Sequence, residues 1–124
     1  MDDLIERCHK YSCEKNNWDY SKIEKRSYVY DNYYHSIKKG LRYLKNGSSN
    51  LEELSSEIHK GWIENYKFWC MKPYLIDNRF IDPLEEIECE KRKKLLVDYK
   101  LLEEDEKEKD RVIGRFLLEN KGLL

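Results

Sequence analysis

The sequence predicts an all-α fold, a compact bundle of about five helices. Apolar residues recur at helical spacing through most of the chain, while the alternation of a half-buried strand is scarce. A length of 124 residues favours one domain, 1–124, with a modest core. Aromatic residues make up 13% of the chain, including ten Tyr and three Trp, which excludes a disordered chain although 40% of residues are charged.

A short first helix is expected near residues 2–14, broken by Asn16-Asn17-Trp18-Asp19-Tyr20. The second, about 21–45, is the most regular. Ile23, Ser27, Tyr30, Tyr34, Ile37, Leu41 and Leu44 follow a 4-3-4-3 spacing along one seam, broadened by Tyr28, Tyr33 and Tyr43. This Tyr-rich stripe suits either the chain's own core or a docking face for a second protein. Gly47 fits a C-terminal cap, and Asn50 or Ser49 fits the next N-cap. The third helix is expected over 51–71, with Leu51, Leu54, Ile58, Trp62 and Trp69 on one face and Tyr66 beside them. Lys72-Pro73 ends it. An irregular crossing follows at about 72–83, too apolar for a free linker. Asp82-Pro83 opens a fourth helix to about Val97, a cap followed by Pro in the first turn. After a turn at Asp98-Tyr99-Lys100, the last helix covers about 102–120. Glu103, Glu104 and Asp105 lie in its first turn, where the helix dipole favours carboxylates.

Lys plus Arg number 24 and Asp plus Glu 25, so a net charge of -1 gives no global attraction to DNA or to acidic membranes. No apolar run reaches the roughly 20 residues of a membrane span. The acidic opening Met1-Asp2-Asp3-Leu4-Ile5-Glu6 does not read as a signal peptide, and a cytoplasmic setting is expected. There Cys8, Cys13, Cys70 and Cys89 are expected as thiols, since no pair has C-x-x-C spacing. Cys8, His9 and Cys13 have poor spacing for a metal and read as structural. No metal or cofactor is expected.

For chemistry, the last helix offers Lys107, Arg111 and Arg115 at i, i+4 and i+8, three cations in one row suited to two phosphates. Gly114 removes a side chain next to Arg115, which admits a ligand or another backbone. The blander reading of the same row is a solvated face, given carboxylates at Glu103, Asp105, Glu108 and Asp110. Arg92, near the end of the fourth helix, joins the candidate set. Tyr66, Trp69, Tyr74 and Phe80 cluster around the crossing, as core or as a stacking platform for a base. Trp62 reads as core. His35 and His59 lack a Ser or Cys partner, and there is no nucleophile elbow, phosphate loop or dinucleotide fingerprint. Glu85, Glu86, Glu88 and Glu90 lack the Glu-x-x-His pairs of a di-metal bundle. The chain therefore reads as a non-enzyme.

Two stretches resemble the ryanodine receptor repeat domain. Leu54-Ser55-Ser56-Glu57-Ile58-His59-Lys60-Gly61-Trp62 is similar to its opening helix. Leu95 to Arg111 is similar to its closing motif, a Leu-x-x-(Tyr/Phe)-x-x-Leu turn before Glu106, Lys107, Asp110 and Arg111. The resemblance covers about 51–120, leaving 1–50 as an N-terminal helical extension. Trp62 to Trp69 resembles small stand-alone versions in phages and other viruses. What the resemblance implies is an all-helical, non-catalytic module that binds a nucleotide-derived anionic molecule, cyclic or ADP-ribose-derived. A viral copy would be an anti-defence sponge in the host cytoplasm, as a homodimer or higher homo-oligomer. The alternative expectation is a protein-interaction module using the helix at 21–45.

Overall fold

The computed structural model describes residues 1–25, 27–71 and 83–123. Five α-helices follow one another: α1 (Asp2–Asn16), α2 (Tyr28–Leu44), α3 (Leu51–Tyr66), α4 (Pro83–Arg92) and α5 (Glu104–Glu119). A π-helical turn, Lys67–Met71, extends α3, and short 3-10 turns occupy Lys93–Leu95, Tyr99–Leu101 and Lys121–Leu123. Among the described residues no strand occurs, so the predicted all-α bundle stands. The predicted crossing at 72–82 lies outside the described residues.

Each helix ends where local chemistry dictates. α1 stops at Asn17, which takes the left-handed conformation (φ 57°) that Asn tolerates better than most residues. α2 begins at Tyr28, seven residues after the expected start, because the Ser27 hydroxyl accepts from the Tyr30 amide and caps the helix there. Asn50 caps α3, its side-chain carbonyl accepting from the Glu53 amide at 2.9 Å. Gly47 adopts φ +83° just beyond α2, as a C-terminal cap requires. α4 gives way to a 3-10 turn after Arg92, short of the Val97 expected from the periodicity.

α2 and α3 form the central pair, and α5 packs across α3. One cluster joins Ile5 and Cys8 of α1, Tyr33, Ile37 and Leu44 of α2, Leu54 and Ile58 of α3, and Ile113, Phe116 and Leu117 of α5. Residues from 1–50 and from 51–120 thus fill the same core. The face that α2 turns inward is Tyr33, Ser36, Ile37, Gly40 and Leu44. Ile23 and Ser27 of the predicted seam precede the helix.

Among the polar contacts inside this frame, two brace α3. Asn65, wholly buried in α3, donates through Nδ2 to the Tyr28 carbonyl at 3.2 Å and pins the start of α2. His59 of α3 and Asp110 of α5 meet at 3.3 Å, both buried.

Cys70 and Cys89 form a disulfide between the π-helical turn and α4, which corrects the expectation of four thiols. Nineteen residues separate them, so no spacing motif marked the pair; the turn after Tyr66 carries Cys70 to a Cα–Cα distance of 5.7 Å from Cys89. Cys8 and Cys13 are free and buried, and burial pushes the Cys8 thiol up to about 12, which makes it inert. The described links from α4 to the bundle are this bond, the Tyr66 hydroxyl donating to the Cys89 carbonyl at 2.9 Å, and Arg92 over the Tyr28 ring. Reduction is therefore expected to loosen α4 while α2 and α3 stay intact. Amide hydrogen exchange with and without dithiothreitol checks this: faster exchange should be confined to the segment around α4. Unchanged exchange there would mean that noncovalent contacts suffice.

Candidate functional site

The basic row of α5 is assembled as the spacing predicted, and each member is already engaged. Arg111 donates from Nε and Nη2 to the Glu52 carboxylate (2.8 and 2.9 Å) and from Nη1 to Glu104 (2.9 Å). Arg115 holds both carboxylate oxygens of Glu108. Lys107 lies 3.6 Å from Glu104 and over the Tyr99 ring. Three cations thus face Glu52, Glu104 and Glu108. The hydrogen bonds hold the Glu52 and Glu104 carboxyls below their ordinary range and raise both guanidiniums. Since Glu52 is on α3, Arg111 works as a fork that ties α5 to α3. Gly114 also serves packing: a Cβ there would lie 2.9 Å from Leu51 Cδ1, so its missing side chain admits α3 rather than a ligand.

The aromatic candidates divide. Tyr66 and Trp69 are buried, their polar atoms given to the Cys89 carbonyl and to Asp31 Oδ2 (2.8 Å). Tyr74 and Phe80 lie outside the described residues. Trp62, read from sequence as core, is only half-buried: it sits between His59 and Tyr66 with ring centroids 5.5 and 5.7 Å away, nearly parallel to both. The tyrosines of α2 face inward or find internal partners. Tyr33 is buried against His9, Tyr30 donates to Asp2, and Tyr43 donates to Glu53.

Trp62 lines a cleft of about 310 Å³ formed by α1, α2, α3, the end of α4 and α5. That volume is at the lower end of small-molecule sites, ~300–1,000 Å³. Trp18, set just beyond the left-handed Asn17, stands exposed at the rim. Arg92 lines it too, its guanidinium carbon 4.6 Å from the Tyr28 ring centre and one nitrogen 3.5 Å from Glu88. Of the predicted cations, Arg92 is the one that lines this cleft. Lys109 and Glu106 add an ion pair at 3.1 Å on the α5 side.

Four buried polar atoms of this lining make no hydrogen bond among the described residues: Ser12 Oγ, Asn16 Nδ2, Tyr28 Oη and Asn32 Oδ1. A buried polar atom without a partner costs about 1–3 kcal/mol, so four in one lining leave hydrogen-bonding capacity open to a polar guest or to water. Together they supply donors and acceptors whichever way the two amides are turned. Burial pushes the Tyr28 hydroxyl up to about 12, so it stays protonated and can donate.

Asp110 lies on the cleft wall, with His59 behind it. His59 Nε2 contacts the Leu95 and Val97 carbonyls at 3.1 and 2.9 Å, while Nδ1 contacts Asp110. With both ring nitrogens taken, His59 is a brace rather than a base. His35 pairs with Glu64 at 3.0 Å. Among the described residues, no group of three His, Cys, Asp or Glu is placed to hold a metal ion, and no helix is long and apolar enough to cross a membrane.

Sequence reasoning missed Asn16, Asn32 and Tyr28 as a set because they come from two helices whose packing no periodicity reports. The residue that could have signalled the cleft is Trp62, an indole one turn from a histidine. Comparisons with family models, with curated proteins and with solved structures returned no significant match.

Proposed function

We propose that this protein is a non-catalytic binding module for a nucleotide-type small molecule, held in the cleft between Trp18, Trp62 and Arg92. What carries the reading is the presence of four unpartnered buried polar atoms in the lining of a cleft that also presents indole rings. Base edges need both donors and acceptors, and bases stack on aromatic rings at about 1–3 kcal/mol each. An anionic part of the ligand would turn toward Arg92 and Lys109, the two cations of the lining. The Lys107–Arg111–Arg115 row enters this proposal only as the clamp behind the site.

The non-catalytic part is supported by the engagement of both His59 nitrogens and by the inert Cys8 thiol. The resemblance to the ryanodine receptor repeat supports the same reading, and with it a viral, anti-defence sponge acting in the host cytoplasm. In a cytoplasm the Cys70–Cys89 bond would form and break with redox poise. Assembly of two or more copies belongs to the proposal as well. Its support is the exposure of Phe68, Met71 and Ile87 on the two segments that the disulfide joins.

A thermal-shift panel of cyclic nucleotides and ADP-ribose-type molecules tests it. A ligand at a hundred times its Kd adds about 2.7 kcal/mol, a rise of several degrees in Tm. Arg92→Ala is expected to remove the shift and Arg115→Ala to leave it. Tyr28→Phe is the sharper variant. Deleting an unsatisfied hydroxyl should leave the free protein as stable or more so, by up to about 1 kcal/mol, and still weaken binding. A panel with no shift, or a shift that survives Arg92→Ala and Tyr28→Phe, ends the proposal.

A further inference from the structure

A second cleft lies at the opposite chemistry. It measures about 600 Å³ and is formed where α1, the end of α2 and the turn after α5 meet. Its apolar wall is Leu4, Leu41 and Leu44. Its polar members are Arg7, Lys45 and Lys121, with Asp3 as the one carboxylate of the lining.

The charges here differ from those of the α5 row. There, every cation has a carboxylate within reach. Among the described residues Arg7, Lys45 and Lys121 have no ion-pair partner. Arg7 donates to the neutral amide oxygen of Asn120 at 2.8 Å and lies over the Phe116 ring, which fixes the guanidinium without cancelling its charge. Lys45 follows the last turn of α2, and Lys121 opens the 3-10 turn after α5. Three cations and one carboxylate leave a positive rim over a leucine wall. No aromatic side chain lines this cleft, so it has nothing on which to stack a base. An apolar wall recognises hydrocarbon through area removed from water, at about 25 cal/mol per Å². A cationic rim adds attraction for an anionic head that reaches solvent.

We propose that this cleft binds a single-chain anionic amphiphile, an acyl chain along Leu4, Leu41 and Leu44 with its carboxylate at Arg7, Lys45 and Lys121. The site is separate from the cleft at Trp62 and does not rest on the nucleotide reading.

The test titrates the full chain with dodecanoate below its micelle concentration, followed by calorimetry and by amide NMR shifts. Dodecanol and dodecyltrimethylammonium serve as neutral and cationic probes of equal chain length. Saturable binding is expected, with the largest shifts at Leu4, Leu41, Leu44 and Lys45. Dodecanoate should bind tighter than dodecanol, and the ammonium probe weakest. Reversing two rim charges, Lys45→Glu with Lys121→Glu, is expected to weaken dodecanoate by about tenfold or more and to strengthen the ammonium probe. Both side chains are exposed, so the variant should fold. Arg92→Ala should leave dodecanoate binding unchanged. Absence of saturable binding, shifts centred elsewhere, or equal affinity for all three heads would overturn the assignment.

Discussion

Replacing His59 with alanine is expected to destabilise the protein by about 3–5 kcal/mol, because it strands a carboxylate in the interior. Asp110 is only 7% exposed and His59 3%, so neither charge is compensated by water. The ring also bridges three segments. Nδ1 faces Asp110 of α5, and Nε2 faces the carbonyls of Leu95 and Val97 in the connection after α4. Loss of the ring therefore orphans two carbonyls besides the carboxylate. Urea unfolding measures the cost. The double replacement His59→Leu with Asp110→Leu should recover most of it, since an apolar pair in place of a buried ion pair is often neutral. If the single variant lost less than about 1 kcal/mol, the buried pair would have no energetic role.

The same pair sets a pH dependence whose sign is fixed by its geometry. Burial opposes protonation of His59, yet the Asp110 hydrogen bond and charge, with the Val97 and Leu95 carbonyls, hold its pKa above the ordinary 6.5. Burial also pushes the Asp110 carboxyl up, against the pull of His59. Glu106 raises Asp110 further and Lys109 lowers it. Both partners thus bind protons more tightly in the folded chain than in the unfolded one. The His59 share of that stability is full below the unfolded His pKa and is lost as pH rises through the folded value, whereas the Asp110 share is lost in acid, as pH rises through the carboxyl's own folded value. Unfolding midpoints should fall between pH 6 and pH 8, and the double leucine variant should flatten the slope.

Much of the helical frame could be read from residue spacing, because each helix has its own apolar period and its own cap. Asn50, Gly47 and the start of α4 at Pro83 were visible as local chemistry. The start of α2 was not: residues 21–26 keep the periodicity, and only the Ser27 hydroxyl decides that the helix begins after them. The basic row of α5 was legible as a row and illegible in its role. Its decisive partner, Glu52, comes from fifty-nine residues away on α3, and ion pairing across helices leaves no trace in spacing. Trp62 shows the same limit. Its helical phase matches Ile58, yet it is half-exposed on a cleft wall while Ile58 is fully buried. Cleft residues Asn16, Tyr28 and Asn32 needed the packing of α1 on α2 before they became neighbours.

The packing of α2 on α3 has its close-approach point at Gly61, and Gly61→Ala is expected to cost about 2–3 kcal/mol and to lower Tm by on the order of 10 °C. A Cβ at Gly61 would lie 2.6 Å from the His35 carbonyl oxygen, 2.7 Å from its carbon and 2.8 Å from Ser36 Cα. These are backbone atoms of α2, which cannot turn aside as a side chain can. Alanine would return about 1 kcal/mol of helix propensity, and the overlap with backbone outweighs it. Gly114→Ala is the control: its Cβ would meet the flexible end of Leu51 at 2.9 Å, so its net cost should stay within about 1 kcal/mol. Gly61→Val should fail to fold. The consequence reaches the cleft, because Tyr28 and Asn32 come from α2 and Trp62 from α3. The Asn65 amide fixes Tyr28 to α3 at one end of this contact, and Gly61 fixes the distance between the helices at its middle. An alanine that pushes α2 off α3 should therefore spread the polar atoms of the cleft along with the helices. Any nucleotide that raises Tm in the native chain should raise it less in Gly61→Ala, and an undiminished shift would detach the site from the register of α2 on α3.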